Sequence, residues 1–321
     1  MVTFTGNFGA NTAIAGSVVS GFTASVGLLT PLQWLSDGAG DTINGLGGND
    51  TLDGGAGNDS LDGGVGADLL VGGAGADQLI GGTGLDTASY AGASSGVKLD
   101  MLLASWAEAA GDARGDSLSG IEAIEGSNFD DVFLLTNLDD RGNGGGGNDR
   151  IEGRDGLDIL KGLAGNDTLD GGLGADQLDG GDGNDALIGG SGADKLLGGA
   201  GSDRLEGGAG QDVLTGNGGN DTFVFASPSD GGDQITDFVR AQGDKIAVSG
   251  AAFGGLSAGS LPADWLVNGS AATEAHGQFV YDAASRELSW DGDGTGAGAA
   301  QVLATFTTSV GPLQALDFLI L

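Results

Sequence analysis

A single large apolar residue recurs every nine positions along two stretches of the chain, and glycines or polar residues fill most of the positions between. The first stretch starts at Gly45 with GLGGNDTLD and GGAGNDSLD, and the second starts at Gly144 with GGGGNDRIE. The first contains five such nonads and the second nine. Because side chains alternate between the two faces of a strand, the apolar residue predicts the buried centre of a three-residue strand.

The other fixed positions of the nonad predict a turn with oxygen atoms on its inner side. Every nonad has glycine at its first and fourth places and aspartate at its sixth, and the eighth place is aliphatic or Phe except at Ala88. Glycine permits the positive φ that a sharp turn with inward carbonyls requires. Two nonads then form one turn of strand, loop, strand and loop. Loops two nonads apart stack on one edge, where a cation between them can take carboxylates and carbonyls from both.

The composition agrees with a thin core and excludes several other classes of protein. Glycine accounts for 69 of 321 residues, but no long stretch has it at every third position and there are only 4 prolines, which excludes collagen. Hydrophobic residues make up 39% of the chain, more than a disordered acidic tail would carry. No apolar run is long enough for a transmembrane helix.

The charge and the missing ligand types point to a hard cation. The net charge is −34, which makes nucleic acid and anionic membranes poor partners. There is no cysteine and only one histidine, so thiolate and imidazole metal sites are not expected. Oxygen ligands remain, and these suit calcium or magnesium.

The nonads resemble the G-G-x-G-x-D-x-U-x repeat of RTX (repeats-in-toxin, hemolysin-type) proteins, in which U is a large apolar residue. The resemblance implies an all-β fold: a right-handed parallel β-roll, or β-solenoid, of nonapeptide repeats filled with calcium, with β-rich N- and C-terminal caps. It also implies that the sixth-place carboxylates and loop carbonyls are the ligands. The carboxylates are those of Asp50, Asp59, Asp68, Asp77, Asp86, Asp149, Asp158, Asp167, Asp176, Asp185, Asp194, Asp203, Asp212 and Asp221, with Asp41 as a weaker candidate. The backbone ligands are placed at Gly45, Gly54, Gly63, Gly72, Gly144, Gly153, Gly162, Gly171, Gly180, Gly189, Gly198 and Gly207.

The stacking of loops two nonads apart predicts the number of ions. Each loop paired with the one two nonads later gives three sites in the first stretch and seven in the second, or about ten ions. Arg154, Leu163 and Asn217 replace the second-place glycine, which puts full occupancy there in question. The alternative is that the loops are merely turns. Turns alone do not require aspartate at one fixed place in all 14 nonads.

The repeats divide the chain into five segments. Residues 1–35 are uncharged and are interpreted as an N-terminal cap, with a role in self-association left open. The first roll is placed at 36–89, including a weaker repeat at 36–44, and the second at 144–225. Between them, residues 90–143 are predicted to continue the solenoid with wider turns and fewer ions. Ile124 and Phe133 fall at eighth places of this continued repeat. A short helix near 102–110 is left open. Residues 226–321 form the predicted C-terminal cap.

The C-terminal segment also resembles the secretion region of RTX proteins. Its similarity rests on DQITDF at 233–238, GDKIAV at 243–248 and FVYDAASRELSWDGDGTGAGAA at 279–300. Residues 317–321, DFLIL, fit an acidic residue followed by apolar ones, which is one form of the type I export signal; a buried strand would have the same sequence. The first 36 residues lack the basic start of a Sec signal. The resemblance therefore implies a secreted or cell-surface protein of a Gram-negative bacterium, which the type I apparatus exports unfolded and calcium folds outside.

Several apparent sites are better explained as structure. Gly92 to Gly96 spell a hydrolase-elbow motif, but chance is the better explanation in a Gly- and Ser-rich chain. His276 stands in a polar turn. Asp291-Gly-Asp293 resembles part of an EF-hand loop, but its twelfth place is Val302, which favours a hairpin turn. The four tryptophans, Trp34, Trp106, Trp265 and Trp290, are more simply cap cores than a sugar-stacking surface.

Three functions are compatible with these features. The first is a non-catalytic structural protein of a surface layer, extracellular matrix or calcium-dependent assembly. The second is an adhesive or polysaccharide-binding module, by resemblance to the repeat modules of alginate epimerases, for which Lys161, Lys195 and Arg204 at outward strand places would supply a sparse basic stripe. An enzyme or toxin ranks last, because no catalytic or pore-forming domain is recognisable.

Overall fold

The computed structural model describes residues 3–5, 12–14, 40–103 and 110–321. The chain forms two compact units, residues 1–153 and residues 154–321. Their described parts consist of short β-strands and three 3-10 helices, Gly111–Ala113, Ala263–Trp265 and Ala315–Asp317, without an α-helix. No helix in these ranges is both long and apolar enough to cross a membrane.

The first unit consists of parallel strands arranged in three sheets. Its strands are β1 Thr3–Thr5, β2 Thr12–Ile14, β3 Thr42–Asn44, β4 Thr51–Asp53, β5 Ser60–Val65, β6 Leu69–Val71, β7 Gln78–Thr83, β8 Thr87–Ser89, β9 Lys98–Asp100, β10 Ser117–Ser119, β11 Ala123–Glu125, β12 Val132–Leu134, β13 Arg141–Gly146 and β14 Arg150–Glu152. Within this unit the strand orders are β1-β3-β5-β7-β10, β2-β4-β6-β8-β11-β13 and β9-β12-β14. In the repeats, successive nonads thus contribute to alternate sheets.

The second unit has the same alternation and adds an antiparallel part. Its strands are β15 Ile159–Ala164, β16 Thr168–Leu173, β17 Gln177–Asp182, β18 Ala186–Gly192, β19 Lys195–Ala200, β20 Arg204–Gly210, β21 Val213–Gly218, β22 Thr222–Phe225, β23 Asp233–Ile235, β24 Lys245–Val248, β25 Leu266–Asn268, β26 Gln278–Asp282, β27 Glu287–Asp291, β28 Gln301–Phe306 and β29 Phe318–Ile320. One sheet has the order β15-β17-β19-β21-β23-β28-β27-β26-β25, and the other has β16-β18-β20-β22-β24-β29. Pairing is antiparallel between β26 and β27 and between β27 and β28.

The strand register confirms that two nonads make one turn. In the first unit Leu61 pairs with Leu79, and in the second Leu187 pairs with Leu205, each pair being 18 residues apart. This parallel stacking, with the two sheets supplied by alternate nonads, is the predicted β-solenoid.

The core of each solenoid is a single file of eighth-place side chains from each sheet. In the first unit these side chains, from Ile43 to Ala88, are at most 1% exposed. In the second, those from Leu160 to Phe223 are likewise at most 1% exposed. Their neighbours along each strand lie mostly outward, as in the intermediate–buried–intermediate pattern of β4 and β6. One apolar side chain per nonad is therefore the main source of burial in the repeats.

Parallel strand pairing continues in the described part of residues 90–143, with wider turns. Gln78 of β7 pairs with Ser117 of β10, a separation of 39 residues instead of 18. Ile124 and Phe133 are the buried central residues of β11 and β12. Leu102, Leu103 and Ala110 are not helical, and the rest of the helix left open near 102–110 lies outside the described residues.

The segment 226–321 extends both sheets of the second unit and brings an aromatic core. Strand β23 pairs in parallel with β21, and β24 with β22. Phe279 packs against Trp290 with ring centroids 4.8 Å apart and against Phe318 at 5.2 Å. Strand β29, which contains Phe318, pairs in parallel with β24 and buries Ile320. In the folded chain, Asp317, Phe318 and Ile320 of DFLIL are therefore buried, whereas Leu319 and Leu321 are exposed.

Two short strands are described from the predicted N-terminal cap. Strand β1 pairs in parallel with β3, and β2 with β4. The other residues of 1–35, together with 36–39 of the weaker repeat, lie outside the described residues, as do Trp34 and Trp106. The assignment of a capping role to this segment stays a prediction.

Candidate metal centres in the repeat loops

The backbone at the second place of the loop adopts a left-handed conformation even where glycine is replaced. Leu46, Arg154, Leu163 and Asn217 have φ angles of 69°, 77°, 78° and 66°. A side chain in this region costs about 1–2 kcal/mol per residue, so the turn geometry is imposed by the stacking of the loops. The substitutions therefore leave the shape of these loops intact.

The first place of the loop faces a small cradle of oxygen atoms. A methyl group built on Gly189 would lie 2.5 Å from the Asp194 Oδ2 atom and 2.5 Å from the carbonyl oxygen of Gly207, two nonads later. A methyl group does not fit at these distances. Only glycine at the first place lets both oxygens approach the backbone there. The same carboxylate and carbonyl pair faces Gly45, Gly54, Gly63, Gly162, Gly171, Gly180 and Gly198.

Hydrogen bonds along each edge hold the carboxylates in position. The backbone N–H of Asp59 donates to Asp77 Oδ1 at 2.7 Å, and that of Asp185 donates to Asp203 Oδ1 at 2.9 Å. The same bond links each sixth-place aspartate to the one 18 residues later through most of the repeats. One oxygen of each carboxylate is thereby fixed to the backbone of the preceding turn, which leaves Oδ2 to face the cradle.

The second carboxylate oxygens are buried without a donor. These aspartates are at most 3% exposed, and their Oδ2 atoms make no hydrogen bond. They are Asp59, Asp68, Asp77, Asp86, Asp176, Asp185, Asp194, Asp203, Asp212 and Asp221. A charged group removed from water without a partner is strongly destabilising. The residues present therefore fit a bound cation, which would supply the missing partner.

Burial also raises the pKa of these carboxyl groups. The pKa of Asp59, Asp86, Asp194, Asp203 and Asp221 is raised to about 6, chiefly by desolvation and additionally by nearby carboxylates, while the hydrogen bond from a backbone N–H acts in the opposite direction. The charged form is thus disfavoured in the folded chain unless a positive charge is nearby.

The atoms of each cradle that could bind a metal are all oxygens, and few of them come from side chains. In the parts of the chain that the structure describes, no group of three or more His, Cys, Asp or Glu side chains converges on a metal position. A cation in the cradle would therefore take a large share of its ligands from carbonyls such as that of Gly207. Such a shell of carboxylate and carbonyl oxygens matches the preferences of calcium.

Family comparison identifies these loops. The family model of the RTX calcium-binding nonapeptide repeat (4 copies) matches residues 36–70, 59–88, 136–169, 152–187, 162–196 and 188–223.

These residues belong to the RTX calcium-binding repeat family. No curated protein matches the chain. Among solved structures, the chain is similar to the solution structure of the AlgE6R3 subunit from the Azotobacter vinelandii mannuronan C5-epimerase. The identity is 25%, the TM-score is 0.22, and the match covers 60% of this chain and 79% of that one.

The structure brings the predicted RTX ligands together on the loop edges of each unit. The weaker candidate, Asp41, is 8% exposed and donates its N–H to Asp59 Oδ1 at 2.7 Å, so it is the first of one row among the described residues. The carbonyls of Gly81 and Gly216 also face cradles, at Gly63 and Gly198, although the sequence-based ligand set omits them.

The rows of carboxylates extend beyond the nonads to residues that sequence reasoning missed. Asp77 donates its N–H to Asp116 Oδ1, Asp86 to Glu122 Oε2, Asp212 to Asp233 Oδ1 and Asp221 to Asp244 Oδ1. The acceptors share the second half of the RTX repeat, an acidic residue followed two places later by an aliphatic one. That half-motif, as in DQI and DKI, is the signal that could have identified them.

The other candidates that the structure describes lie in turns or in an aromatic cluster. Gly92 to Gly96 lie in turns and bends, without the strand and helix of a hydrolase elbow. The Trp265 ring stacks with His276, at 4.8 Å, and with Trp290, at 6.1 Å, so it belongs to the aromatic cluster of this segment. Residues between Asp291 and Gln301 connect two antiparallel strands, which confirms the predicted hairpin turn.

Proposed function

We propose that the chain is a secreted structural protein whose RTX repeats fold around calcium outside the cell. The observation that carries this proposal is the row of buried Oδ2 atoms that face glycine carbonyls and have no donor. In this proposal the sixth-place aspartates and first-place glycine carbonyls hold the ions, which supply positive charge where the fold buries negative charge.

Calcium would then be a condition for folding. The net charge is −34, and about ten ions would cancel 20 of these charges. Without them, carboxylates of successive turns repel one another along each loop edge, and a core of only one apolar side chain per nonad opposes this repulsion. Because the ligands converge only in the folded chain, the binding free energy of calcium becomes folding free energy.

Export through a type I apparatus would make use of this dependence. Free calcium is low in the cytosol, where the repeats would remain unfolded and able to pass through a channel. The DFLIL segment supports the same order of events, because Phe318 and Ile320 are buried in the folded chain and become accessible only on unfolding. Millimolar calcium outside the cell would fold the repeats and oppose their return.

A structural role in a surface layer, matrix or calcium-dependent assembly is supported better than polysaccharide binding. The basic residues that would contact an acidic polysaccharide are divided, because Lys161 and Lys195 belong to one sheet and Arg204 to the other. Arg204 is also paired with Glu206 at 2.7 Å. The outer faces of the described strands thus provide no continuous basic stripe.

Calcium titration with circular dichroism and light scattering tests the proposal. The chelated protein should lack most β-structure and be expanded, and CaCl₂ should restore the strand signal and reduce the radius of each chain. The same concentration of MgCl₂ is the control, since magnesium demands a smaller, more regular oxygen shell. Equal dichroism and size with and without chelator would refute calcium-dependent folding. A rise in scattering mass with calcium would support assembly, whereas binding on a glycan array would favour the polysaccharide alternative.

A further inference from the structure

Each row of carboxylates ends at an acidic residue outside the nonads, and these row ends differ in how their last oxygen is satisfied. In every row the last carboxylate accepts a backbone N–H from the residue one turn earlier. Its other oxygen either meets a donor of the protein or faces the interior without one. This difference decides whether the row can continue to bind cations beyond the repeats.

Two of these row-end carboxylates are satisfied by the protein itself. Asp116 Oδ2 accepts the Tyr90 hydroxyl at 3.0 Å. Asp244 Oδ2 accepts the backbone N–H of Val239 at 2.7 Å. Each therefore has donors on both oxygens, and a cation is not required to compensate its burial.

Asp233 differs from these two residues. Its Oδ1 accepts the N–H of Asp212 at 3.0 Å, but its Oδ2 is buried without a hydrogen bond, and the residue is 1% exposed. Asp212 is also 1% exposed, and its Oδ2 atom is likewise buried without a hydrogen bond. Two neighbouring turns thus each present an oxygen that has no donor.

The surroundings of this pair are negative. The carboxyl groups of Asp212 and Asp233 lie within hydrogen-bonding reach of each other. The negative charge of the Asp230 carboxyl repels both. Two buried carboxylates in contact require a positive charge or a proton between them. A divalent cation satisfies both oxygens at once, whereas a shared proton neutralises only one of the two charges.

We propose that Asp212 and Asp233 hold one further calcium ion beyond the RTX nonads, on the row that continues into β23. This inference rests on the proposed calcium function of the repeats. The rows that end at Asp116 and Asp244 hold no ion at their last carboxylate, because the protein already occupies both oxygens. A site that the repeat motif does not predict is therefore added where the segment 226–321 joins the repeats.

Counting bound ions in three variants of the full chain tests the proposal. Calcium per chain is measured by competition with a chromophoric chelator for the wild type, Asp233→Asn, Asp116→Asn and Asp179→Asn. Asparagine at 233 keeps an oxygen for the Asp212 N–H, so the backbone bond survives. Asp116→Asn changes a row end whose oxygens are satisfied, and Asp179→Asn removes an equal charge from the outer face of β17.

The proposal expects Asp233→Asn to bind one calcium ion fewer than the wild type, with the two control variants unchanged. An unchanged count and affinity in a folded Asp233→Asn variant would overturn it and leave a shared proton as the explanation. If that variant lacks the wild-type dichroism in calcium, crystals of the wild type loaded with Tb³⁺ decide: an anomalous peak between Asp212 and Asp233 supports the site, and peaks confined to the repeat loops overturn it. A wild type that binds no calcium would instead refute the proposed function itself.

Discussion

At the scale of single residues, each place of the nonad has a separate physical task. The sixth-place carboxylate accepts a backbone N–H through one oxygen and presents the other to the cradle. The first-place glycine leaves the cradle open, and the second-place residue makes the left-handed turn. Because the tasks lie on different atoms, substitutions can remove one and preserve the others.

Asp194→Asn separates the metal-ligand task of the carboxylate from its structural task. The new side chain keeps an oxygen to accept the Asp176 N–H, which now donates to Asp194 Oδ1 at 2.8 Å, but it loses the charge of Oδ2. We expect the free energy of unfolding in calcium to fall by about 1.5–3 kcal/mol, the usual range for a lost charged interaction. Thermal unfolding measures this, and Asp179→Asn on the outer face should show little change. Equal losses in the two variants would contradict a ligand role for Asp194.

Leu163→Gly tests the conformational task of the second place. Leu163 has a φ of 78° and is 43% exposed, so its side chain adds strain and little burial. Removing the side chain is expected to stabilise the calcium-bound form by about 1 kcal/mol. Gly181→Ala on the next turn is the matched control and should destabilise the protein. There φ is 102°, and a methyl would lie 2.2 Å from the Leu163 carbonyl oxygen. Denaturant unfolding of both variants should give changes of opposite sign.

At the scale of the strands, stability comes from stacking along one direction. Each repeat strand buries one side chain and pairs with strands 18 residues away on either side. Neighbouring turns therefore contribute most of what holds any one turn, as expected of solenoids. A defect in the single-file core cannot be compensated by a second layer.

Leu187→Ala should therefore be costly. Leu187 is completely buried at the centre of β18, and its loss leaves a cavity between Leu169 and Leu205 in the same file. We expect a decrease of about 2–5 kcal/mol in the free energy of unfolding in saturating calcium. Leu173→Ala, at a side chain 55% exposed, should stay within about 0.5 kcal/mol of the wild type. Similar losses at both positions would show that the file of eighth-place residues is not the core.

At the scale of the whole molecule, the fold must reconcile a net charge of −34 with buried rows of carboxylates. Calcium supplies positive charge at these rows, and protons are the alternative. Acid should therefore partly replace calcium, which makes the pH dependence of the calcium-free chain informative.

The calcium-free chain should become more structured as the pH falls from 7.5 to 4.5. Burial raises the pKa of Asp59, Asp86, Asp194, Asp203 and Asp221 to about 6 in the folded chain, against about 3.9 when unfolded. Between these values the folded chain binds more protons, so its stability falls as the pH rises. This contribution is fully present below about pH 3.9 and lost as the pH rises through about 6.

Circular dichroism of the chelated protein measures this dependence. Strand signal at pH 4.5 that disappears at pH 7.5 is expected, and an unchanged spectrum across this range would contradict it. With calcium present the direction reverses for binding, because protons compete for the same oxygens. The calcium concentration at half-folding should therefore rise as the pH falls below about 6.

The sequence alone determined the repeating part of this protein, because its nine-residue period ties each residue type to one place in a turn. Gly, Asp and the eighth-place apolar residue predicted the parallel solenoid, the 18-residue register and the loops that belong to the RTX family. Tertiary structure decided which residues continue the carboxylate rows beyond the nonads, because these residues have no fixed spacing in the sequence. A separation of 39 residues placed Asp116 after Asp77, and one of 21 residues in place of the regular 18 placed Asp233 after Asp212. Only the folded chain also shows which row ends have donors of their own, because Tyr90 and Val239 reach those carboxylates through insertions whose lengths follow no repeat.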